Sequence, residues 1–201
     1  KGVEDKVPQA ISQLGFDVKV IEVENLKTTS LNDFQSIVVG IRAYNVKPEL
    51  DFFHQQLMDY VSQGGNLIVQ YNTSTKSVKE MQLGPYPFDV SRGRVTEEDA
   101  KVSFVNQKHP ILNFPNTITE KDFENWVQER GLYFADNWDA KYETLLSWND
   151  KGQESLEGAL IVTKHGKGQF IYTGISFFRQ LPAGVEGAYR LFANMLSYGG
   201  N

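Results

Sequence analysis

The segment Ser36-Ile37-Val38-Val39-Gly40 is a short apolar run, rich in β-branched residues, that ends at a glycine. This pattern is typical of a strand buried on both faces of a parallel sheet. Downstream, Pro48 suits the first turn of a helix, and Gly64-Gly65 marks its end. Leu67-Ile68-Val69 then forms a second buried strand. A strand, a helix and a strand with short connections predict a parallel sheet covered by helices.

The N-terminal residues extend this alternation toward the start of the chain. Apolar residues recur there at three- and four-residue steps and predict a helix that is stopped by Gly15: Val3, Val7, Ile11 and Leu14. Residues 17–23 alternate between apolar and polar side chains and predict a strand. Because a helix comes first, we expect the first strand of the sheet to precede Lys1. We also expect the chain to be excised from a larger protein, since neither methionine nor a signal-like run opens it.

The last fifty residues predict a hairpin followed by a helix. Strand patterns cover residues 159–162 and 169–172, with the glycine-bearing turn Lys164-His165-Gly166-Lys167-Gly168 between them. An apolar stripe at helical spacing predicts a final helix over residues 185–197. We expect both elements to belong to the same sheet and its helical cover.

The middle of the chain, residues 73–149, has a different character. It contains all three tryptophans and many polar turns, with short strand candidates at Val102–Phe104 and at 145–148. The sequence therefore predicts one domain over residues 1–201, with 73–149 as a strand-rich insertion. The fold class is α/β, a three-layer open and mostly parallel sheet with helices on both faces.

The composition excludes several kinds of function. The chain has no cysteine, which removes thiol nucleophiles, thiolate metal sites and disulfides. Its net charge of −5 and the lack of a basic stripe argue against a nucleic-acid partner. The sequence contains no run of 18 apolar residues, so it predicts no membrane-spanning helix. We expect no metal and no cofactor.

Familiar catalytic motifs are missing from the sequence. Gly174-Ile175-Ser176-Phe177-Phe178 departs from a nucleophile elbow because Phe178 stands where the second glycine is required, so a buried serine is the ordinary interpretation. No histidine has a histidine partner at zinc-protease spacing. His109 is the best acid/base candidate, with Glu129 or Asp122 as its partner.

Polar side chains follow two of the predicted strands, where ligands collect in open parallel sheets. Arg42 suits a carboxylate or phosphate, and four further residues offer hydrogen bonds or stacking faces: Tyr44, Asn45, Tyr71 and Asn72. The alternative is that Arg42 pairs with an acid of the middle segment and that the amides cap turns. Trp126 and Arg130 form a second candidate cluster, and the alternative is that Glu129 and Arg130 form structural ion pairs. Arg179, just past a strand end, either faces the same crevice as Arg42 or ties its loop to the middle segment.

Four strings carry a family resemblance: Gly40-Ile41-Arg42-Ala43-Tyr44-Asn45, His109-Pro110-Ile111-Leu112-Asn113, Trp126-Val127-Gln128-Glu129-Arg130-Gly131-Leu132-Tyr133, and Tyr172-Thr173-Gly174 through Phe178-Arg179-Gln180-Leu181-Pro182-Ala183-Gly184. Together they resemble the C-terminal region of bacterial PIG-L (LmbE-like) family deacetylase proteins. The order of elements resembles the class I glutamine amidotransferase-like fold, and within it ThuA-like domains. The resemblance spans nearly the whole chain and implies a flavodoxin-like sheet.

The resemblance also shows what this chain lacks. The family's deacetylase domain is a separate N-terminal unit with a His-Pro-Asp-Asp zinc motif, whereas Pro110 is followed here by Ile111-Leu112. Amidotransferases carry a cysteine after the strand corresponding to Leu67-Ile68-Val69, where this chain has Gln70-Tyr71-Asn72.

The resemblance and the missing motifs lead to a functional expectation. We expect a non-catalytic accessory domain that binds a carbohydrate-like ligand or docks the N-terminal deacetylase domain, in an extracytoplasmic location. One alternative is a ThuA-like or hydrolase-type enzyme that uses His109 with Glu129 or Asp122. Another is a purely structural module, which would expose an apolar patch.

Overall fold

A computed structural model describes Val3 and residues 6–199 of the protein. Its helices are α1 (Val7–Gln13), α2 (Ala43–Val46), α3 (His54–Ser62), α4 (Lys76–Glu80), α5 (Phe177–Gln180) and α6 (Glu186–Ser197). Its strands are β1 (Ser36–Val39), β2 (Asn66–Gln70), β3 (Asp89–Val90), β4 (Arg94–Val95), β5 (Val102–Phe104), β6 (Gly131–Leu132), β7 (Ala135–Asp136), β8 (Glu143–Thr144), β9 (Leu146–Trp148), β10 (Leu160–His165) and β11 (Gly168–Thr173). Short 3-10 helices cover Val23–Thr28, Leu31–Asp33, Pro48–Phe53, Pro110–Leu112 and Glu120–Phe123. None of the described helices is long and apolar enough to cross a bilayer.

The central sheet has five strands in the order β1-β2-β11-β10-β8. Strands β1, β2 and β11 are parallel, and their register places Val39 beside Val69 and Val69 beside Tyr172. Strand β10 returns antiparallel to β11, and β8 pairs antiparallel with β10. Four of the five strands therefore point the same way, which confirms a mostly parallel sheet.

Helices cover both faces of this sheet, because the side chains of its central strands alternate. Leu67 and Val69 pack with α2 and α3 on one face. Ile68 and Ile171 pack with α1 and α6 on the other. The five residues of β2 are all buried, and the burial of its apolar centre, Leu67-Ile68-Val69, was predicted. The three-layer α/β architecture is confirmed.

The predicted insertion departs from the main sheet after β2 and returns before β10. It contains α4 and three two-stranded ladders, β3 with β7, β4 with β6, and β5 with β9. The strand over Val102–Phe104 is confirmed, and the candidate at 145–148 begins one residue later, at Leu146. The insertion contributes one strand to the central sheet, β8, which lies beside β10 at the edge of that sheet.

The strand predicted over residues 17–23 is wrong. Residues 17–22 are outside any helix or strand, and a 3-10 helix begins at Val23. Val18 and Val20 are 36% and 51% exposed. An alternating segment becomes a strand only beside a partner, and no described strand pairs with this one. The first strand that we expect ahead of Lys1 lies outside the described residues. The first helix begins at Val7 instead of Val3.

Candidate functional site

The C-terminal ends of β1, β2 and β11 meet at one edge of the sheet because the three strands are parallel. The loops that leave β1 and β2 are joined directly there, since the Arg42 N–H donates to the Tyr71 carbonyl at 2.8 Å. Phe178 and Arg179 follow β11 in the short helix α5. Arg42 and Tyr71 share this edge, as their positions after the two strands predict. Arg179 ties its loop to the middle segment through Glu129 and Gln128, which is the second of its two alternatives.

Three aromatic rings cluster at this edge. The rings of Tyr71 and Tyr133 stack with centroids 5.8 Å apart and an interplanar angle of 10°, and Phe178 lies 5.3 Å from Tyr71. Tyr71 is the buried member, whereas Tyr133 and Phe178 are half-buried. Burial raises the pKa of the Tyr71 hydroxyl, and the nearby positive charge of Arg42 partly opposes that rise. The Tyr71 hydroxyl is therefore neutral at physiological pH.

Charged side chains flank the rings. The Nε of Arg179 donates to Oε1 of Glu129 at 2.6 Å, and its guanidinium lies 4.8 Å from the centre of the Phe178 ring. Arg42 is exposed and makes no ion pair with any described residue. The alternative that Arg42 pairs with an acid of the middle segment is therefore not observed. We call the set Arg42, Tyr71, Glu129, Tyr133, Phe178 and Arg179 the aromatic–arginine surface.

Three non-glycine residues at this edge have left-handed backbone conformations. The φ angles are +54° at Arg42, +66° at Gln128 and +53° at Tyr133. This conformation costs roughly 1–2 kcal/mol for a residue with a Cβ, so it persists only where surrounding contacts impose it. The carbonyl of Tyr133, for example, accepts a hydrogen bond from the buried Tyr172 hydroxyl at 2.7 Å. Strain of this kind is concentrated where the fold positions side chains for a function.

Two buried polar residues hold the loop that carries Glu129. Ser176 Oγ donates to the Glu129 carbonyl at 2.6 Å. The Gln180 amide donates to the carbonyls of Val127 and Glu129 and accepts from the Val127 N–H, at 2.8, 3.0 and 2.9 Å. The expectation that Ser176 is a buried structural serine is confirmed, since its exposure is zero. Sequence analysis missed Gln180 as a positioning residue, although it lies within the string that carries the family resemblance.

The two predicted asparagines organise the strand-end loops. Asn72 Oδ1 accepts from the Tyr44 N–H at 3.0 Å, and its amide donates to the Gln70 carbonyl. Asn45 Oδ1 accepts from the Thr73 N–H at 2.8 Å. The alternative that these amides cap turns is confirmed. The side chain of Tyr44 is fully buried inside the protein, so it does not offer a stacking face at the surface.

Trp126 and Arg130 are also interior residues, which corrects the prediction that they form a ligand surface. The Arg130 guanidinium donates to the carbonyls of Ala100 and Phe123 and lies 5.4 Å from the centre of the Trp126 ring. Burial lowers the pKa of Arg130 to about 10. Trp126 donates from Nε1 to the Asp122 carbonyl. Both side chains are buried in the core of the insertion, and these hydrogen bonds join them to backbone carbonyls of the same protein. The alternative that Glu129 forms a structural ion pair agrees with the structure, because Glu129 pairs with Arg179. Arg130 makes no ion pair with any described residue.

The three candidate acid/base residues belong to separate networks. His109 contacts Tyr198, whereas Asp122 pairs with Arg190 at 2.7 Å. These two partners are eight residues apart along α6 and its cap, about 12 Å of helix rise. Glu129 is held at the sheet edge by Arg179. The structure therefore does not bring His109 into an acid/base pair with Asp122.

His109 has a structural task. Its Nδ1 accepts from the Ile111 N–H at 3.2 Å and caps the 3-10 helix Pro110–Leu112. Burial lowers the pKa of the imidazole, which keeps it neutral. Among the described residues, no group of three histidine or acidic side chains is arranged to hold a metal ion.

Comparison with known proteins supports the fold alone. No protein-family model and no curated protein sequence matches the chain. The cytoplasmic protein STM3548 from Salmonella typhimurium is similar, with a TM-score of 0.63 and 15% identity over 97% of this chain and 87% of that one. STM1381 from Salmonella typhimurium LT2, also described as a cytoplasmic protein, has a TM-score of 0.64 and 16% identity. That match covers 95% of this chain and 84% of the other.

A longer enzyme contains a similar fold. A β-galactosidase from Rahnella sp. R3 has a TM-score of 0.51 and 13% identity, and the match covers 93% of this chain but only 25% of that one. At such low identities these likenesses establish a shared α/β fold and nothing about activity.

Proposed function

We propose that this protein is a non-catalytic accessory domain of the class I glutamine amidotransferase-like, flavodoxin-like type, and that its aromatic–arginine surface binds a carbohydrate-like ligand. The observation that carries the proposal is the cluster of Tyr71, Tyr133 and Phe178 beside Arg42 and the Glu129–Arg179 pair. It lies where the carboxyl ends of three parallel strands meet, the usual location of ligands in open α/β sheets.

The chemistry of this surface suits a sugar. The faces of aromatic rings pack against the apolar C–H faces of pyranose rings, and the half-buried Tyr133 and Phe178 present such faces. Guanidinium groups donate hydrogen bonds to hydroxyl oxygens, and a carboxylate accepts from hydroxyl groups. Arg42 has no ion-pair partner among the described residues and is available to a ligand.

Within the part of the chain that the structure describes, His109, Asp122 and Glu129 belong to separate networks, and this separation favours an accessory role over the alternative enzyme. His109 caps a 3-10 helix, and Asp122 pairs with Arg190. Neither of these contacts involves a residue of the aromatic–arginine surface. Gln70 and Tyr71 occupy the place where amidotransferases carry their cysteine. The occurrence of a similar fold as a quarter of a β-galactosidase chain is consistent with a part that accompanies a catalytic domain.

A glycan-binding experiment tests the proposal. The protein is titrated with a panel of neutral, acidic and N-acetylated oligosaccharides, and binding is measured by calorimetry. We expect Tyr133→Ala and Arg42→Ala to weaken binding at least tenfold. The matched control is Phe52→Ala, because Phe52 is an exposed aromatic residue outside the surface, 86% accessible.

The same variants separate the carbohydrate from a protein partner. A folded protein that binds no member of the panel contradicts carbohydrate binding. If a separately expressed PIG-L-type deacetylase domain then binds, and if Arg42→Ala abolishes that binding, the surface serves docking instead.

A further inference from the structure

The two arginines of the aromatic–arginine surface are not equivalent. Arg179 is already engaged, since its guanidinium pairs with Glu129 at 2.6 Å and donates to the side-chain oxygen of Gln128. Arg42 is exposed and makes no ion pair with any described residue. Arg179 and Glu129 therefore compensate each other, whereas the positive charge of Arg42 is left without a partner in the described part of the chain.

The backbone fixes the place of Arg42 next to Tyr71. The N–H of Arg42 donates to the Tyr71 carbonyl at 2.8 Å, which ties residue 42 to the loop that leaves β2. Its φ of +54° is unfavourable for a residue with a Cβ. Such conformations occur mostly where the fold places a side chain for a function. The fold thus presents an uncompensated guanidinium beside the aromatic rings.

The Tyr71 hydroxyl is a second unpartnered group at the same place. Tyr71 is only 6% exposed, yet its hydroxyl makes no hydrogen bond with any described residue. The positive charges of Arg42 and Arg179 and the negative charge of Glu129 all act on this hydroxyl. Because burial raises its pKa, the hydroxyl keeps its proton and can donate it in a hydrogen bond. An oxygen atom bound near Arg42 would satisfy this donor.

Attraction of anions at this place is local. The whole chain carries a net charge of −5, so its overall field repels anions. Glu98 adds a further negative charge nearby, because one of its carboxylate oxygens accepts from the Gln128 N–H. The surface offers one uncompensated positive charge, that of Arg42. It therefore suits a ligand group with a single negative charge.

A carboxylate matches Arg42 in both charge and shape. It carries one negative charge and is planar, so the guanidinium fork can donate to both of its oxygens. A phosphate monoester carries roughly −1.5 to −2 at neutral pH. One free arginine does not neutralise that charge close to Glu98 and Glu129. A planar anion with a single charge is the better fit.

We propose that the aromatic–arginine surface binds an acidic sugar whose carboxylate is held by Arg42. The half-buried rings of Tyr133 and Phe178 pack against the apolar face of the sugar ring. The Tyr71 hydroxyl donates to an oxygen of the ligand beside the carboxylate. This inference rests on the proposed function, because it names the class of carbohydrate that the same surface takes.

Two pairs of ligands that differ in a carboxylate test the proposal. One pair is a galacturonate trisaccharide and its carboxyl-reduced, neutral form, and the other is sialyllactose and lactose. Calorimetry measures binding to the unmodified protein at low and at high salt. We expect an acidic member to bind at least tenfold more tightly than its neutral partner. This advantage should shrink at high salt, because the exposed guanidinium is screened by ions.

Arg42→Gln assigns the effect to one side chain, since it removes the charge and the guanidinium fork but keeps a polar group. We expect it to lower the affinity for the acidic sugar to that for the neutral partner, and to change neutral binding less than threefold. Lys108→Gln is the matched control. It also removes an exposed positive charge, but it lies next to His109 and outside the surface. Both affinities should stay unchanged in the control, and circular dichroism verifies that each variant is folded.

The outcomes distinguish this proposal from carbohydrate binding in general. Equal affinities for acidic and neutral partners, both weakened by Tyr133→Ala, would overturn the acidic ligand and leave carbohydrate binding intact. A folded protein that binds no oligosaccharide would overturn both. Tighter binding of a sulfated or phosphorylated galactose than of either acidic sugar would overturn the choice of a carboxylate. An acidic preference that persists in Arg42→Gln would overturn the role of Arg42.

Discussion

Arg179 and Glu129 join two distant parts of the chain, with Nε of the arginine 2.6 Å from Oε1 of the glutamate. Glu129 belongs to the insertion, and Arg179 belongs to α5, which follows the last strand of the sheet. The Glu129 side chain is only 12% exposed, so water screens this pair less than a surface pair. The contact fixes the insertion against the sheet edge at the aromatic–arginine surface.

We expect Arg179→Ala to lower the free energy of unfolding by about 1 kcal/mol, because it removes the partner of a mostly buried carboxylate. Urea denaturation followed by tryptophan fluorescence measures the change. Lys76→Ala is the matched control, since Lys76 and Glu80 are 3.9 Å apart with both side chains exposed. Losses of equal size in the two variants would contradict this prediction.

Gln180→Leu tests the support of the loop that carries Glu129. The substitution leaves the Val127 N–H and the carbonyls of Val127 and Glu129 without the Gln180 amide. We expect a loss of about 3 kcal/mol or more in the free energy of unfolding, measured by urea denaturation. Gln55→Leu, at an exposed position bonded to Asp59, is the control and should change stability by less than about 0.5 kcal/mol. A loss below about 1 kcal/mol for Gln180→Leu would argue against its supporting role.

Gln70→Leu should stabilise the chain that begins at Lys1. The substitution removes a buried amide that has no partner among the described residues, and we expect a gain of about 1–2 kcal/mol, seen as a higher Tm. Asn66→Leu is a contrasting variant on the same strand. Its amide donates to the Met195 carbonyl at 2.8 Å and to Ser36 Oγ at 2.9 Å, so its loss should destabilise the protein. A decrease in Tm for Gln70→Leu would show that its amide is satisfied in solution.

His109 should make stability depend on pH. Burial lowers its pKa in the folded protein, and Nδ1 must stay unprotonated to accept from the Ile111 N–H. The unfolded chain therefore binds the proton more readily, so this contribution is complete above about pH 6.5 and is lost as pH falls from there toward the folded pKa.

His109→Asn keeps an oxygen that can cap the 3-10 helix but removes the titration. Urea denaturation between pH 5 and pH 7.5 should show a shallower loss of stability on acidification for this variant than for the parent. The pKa of His54 is lowered by burial as well, so His54→Gln is measured alongside to separate the two contributions. An unchanged slope in His109→Asn would exclude His109 as the source.

The regular elements could be predicted because local pattern and tertiary environment agree. Leu67-Ile68-Val69 lies in the centre of the sheet and is apolar on both faces, and the stripe of the last helix packs against the core as expected. Residues 17–23 carry an equally clear alternation, but they form no strand of the described sheets. A pattern specifies which face of a strand is apolar, whereas pairing depends on a neighbour elsewhere in the polypeptide.

The candidate site was predicted in part. Arg42, Tyr71 and Arg179 each follow the end of a strand, and this position in the sequence was sufficient to predict that they lie at the same edge of the sheet. Tyr133 and Phe178 were missed as members of the surface, because their approach to Tyr71 depends on how the insertion folds back. Trp126 and Arg130 were assigned to a second ligand-binding cluster because polar and aromatic residues in a loop resemble a binding site. These two side chains are buried because other parts of the insertion pack around them. The spacing of residues along the sequence does not indicate such packing.

The pairing of β2 with β11 has a consequence for the order in which the protein folds. Val69 lies beside Tyr172, about 100 residues further along the chain, so the centre of the sheet closes a very long loop. During synthesis, β2 leaves the ribosome well before its partner and exposes the apolar run Leu67-Ile68-Val69 while the insertion is still being made. The nascent chain is thus most vulnerable to aggregation in the interval between these two strands, and completion of β11 ends that interval.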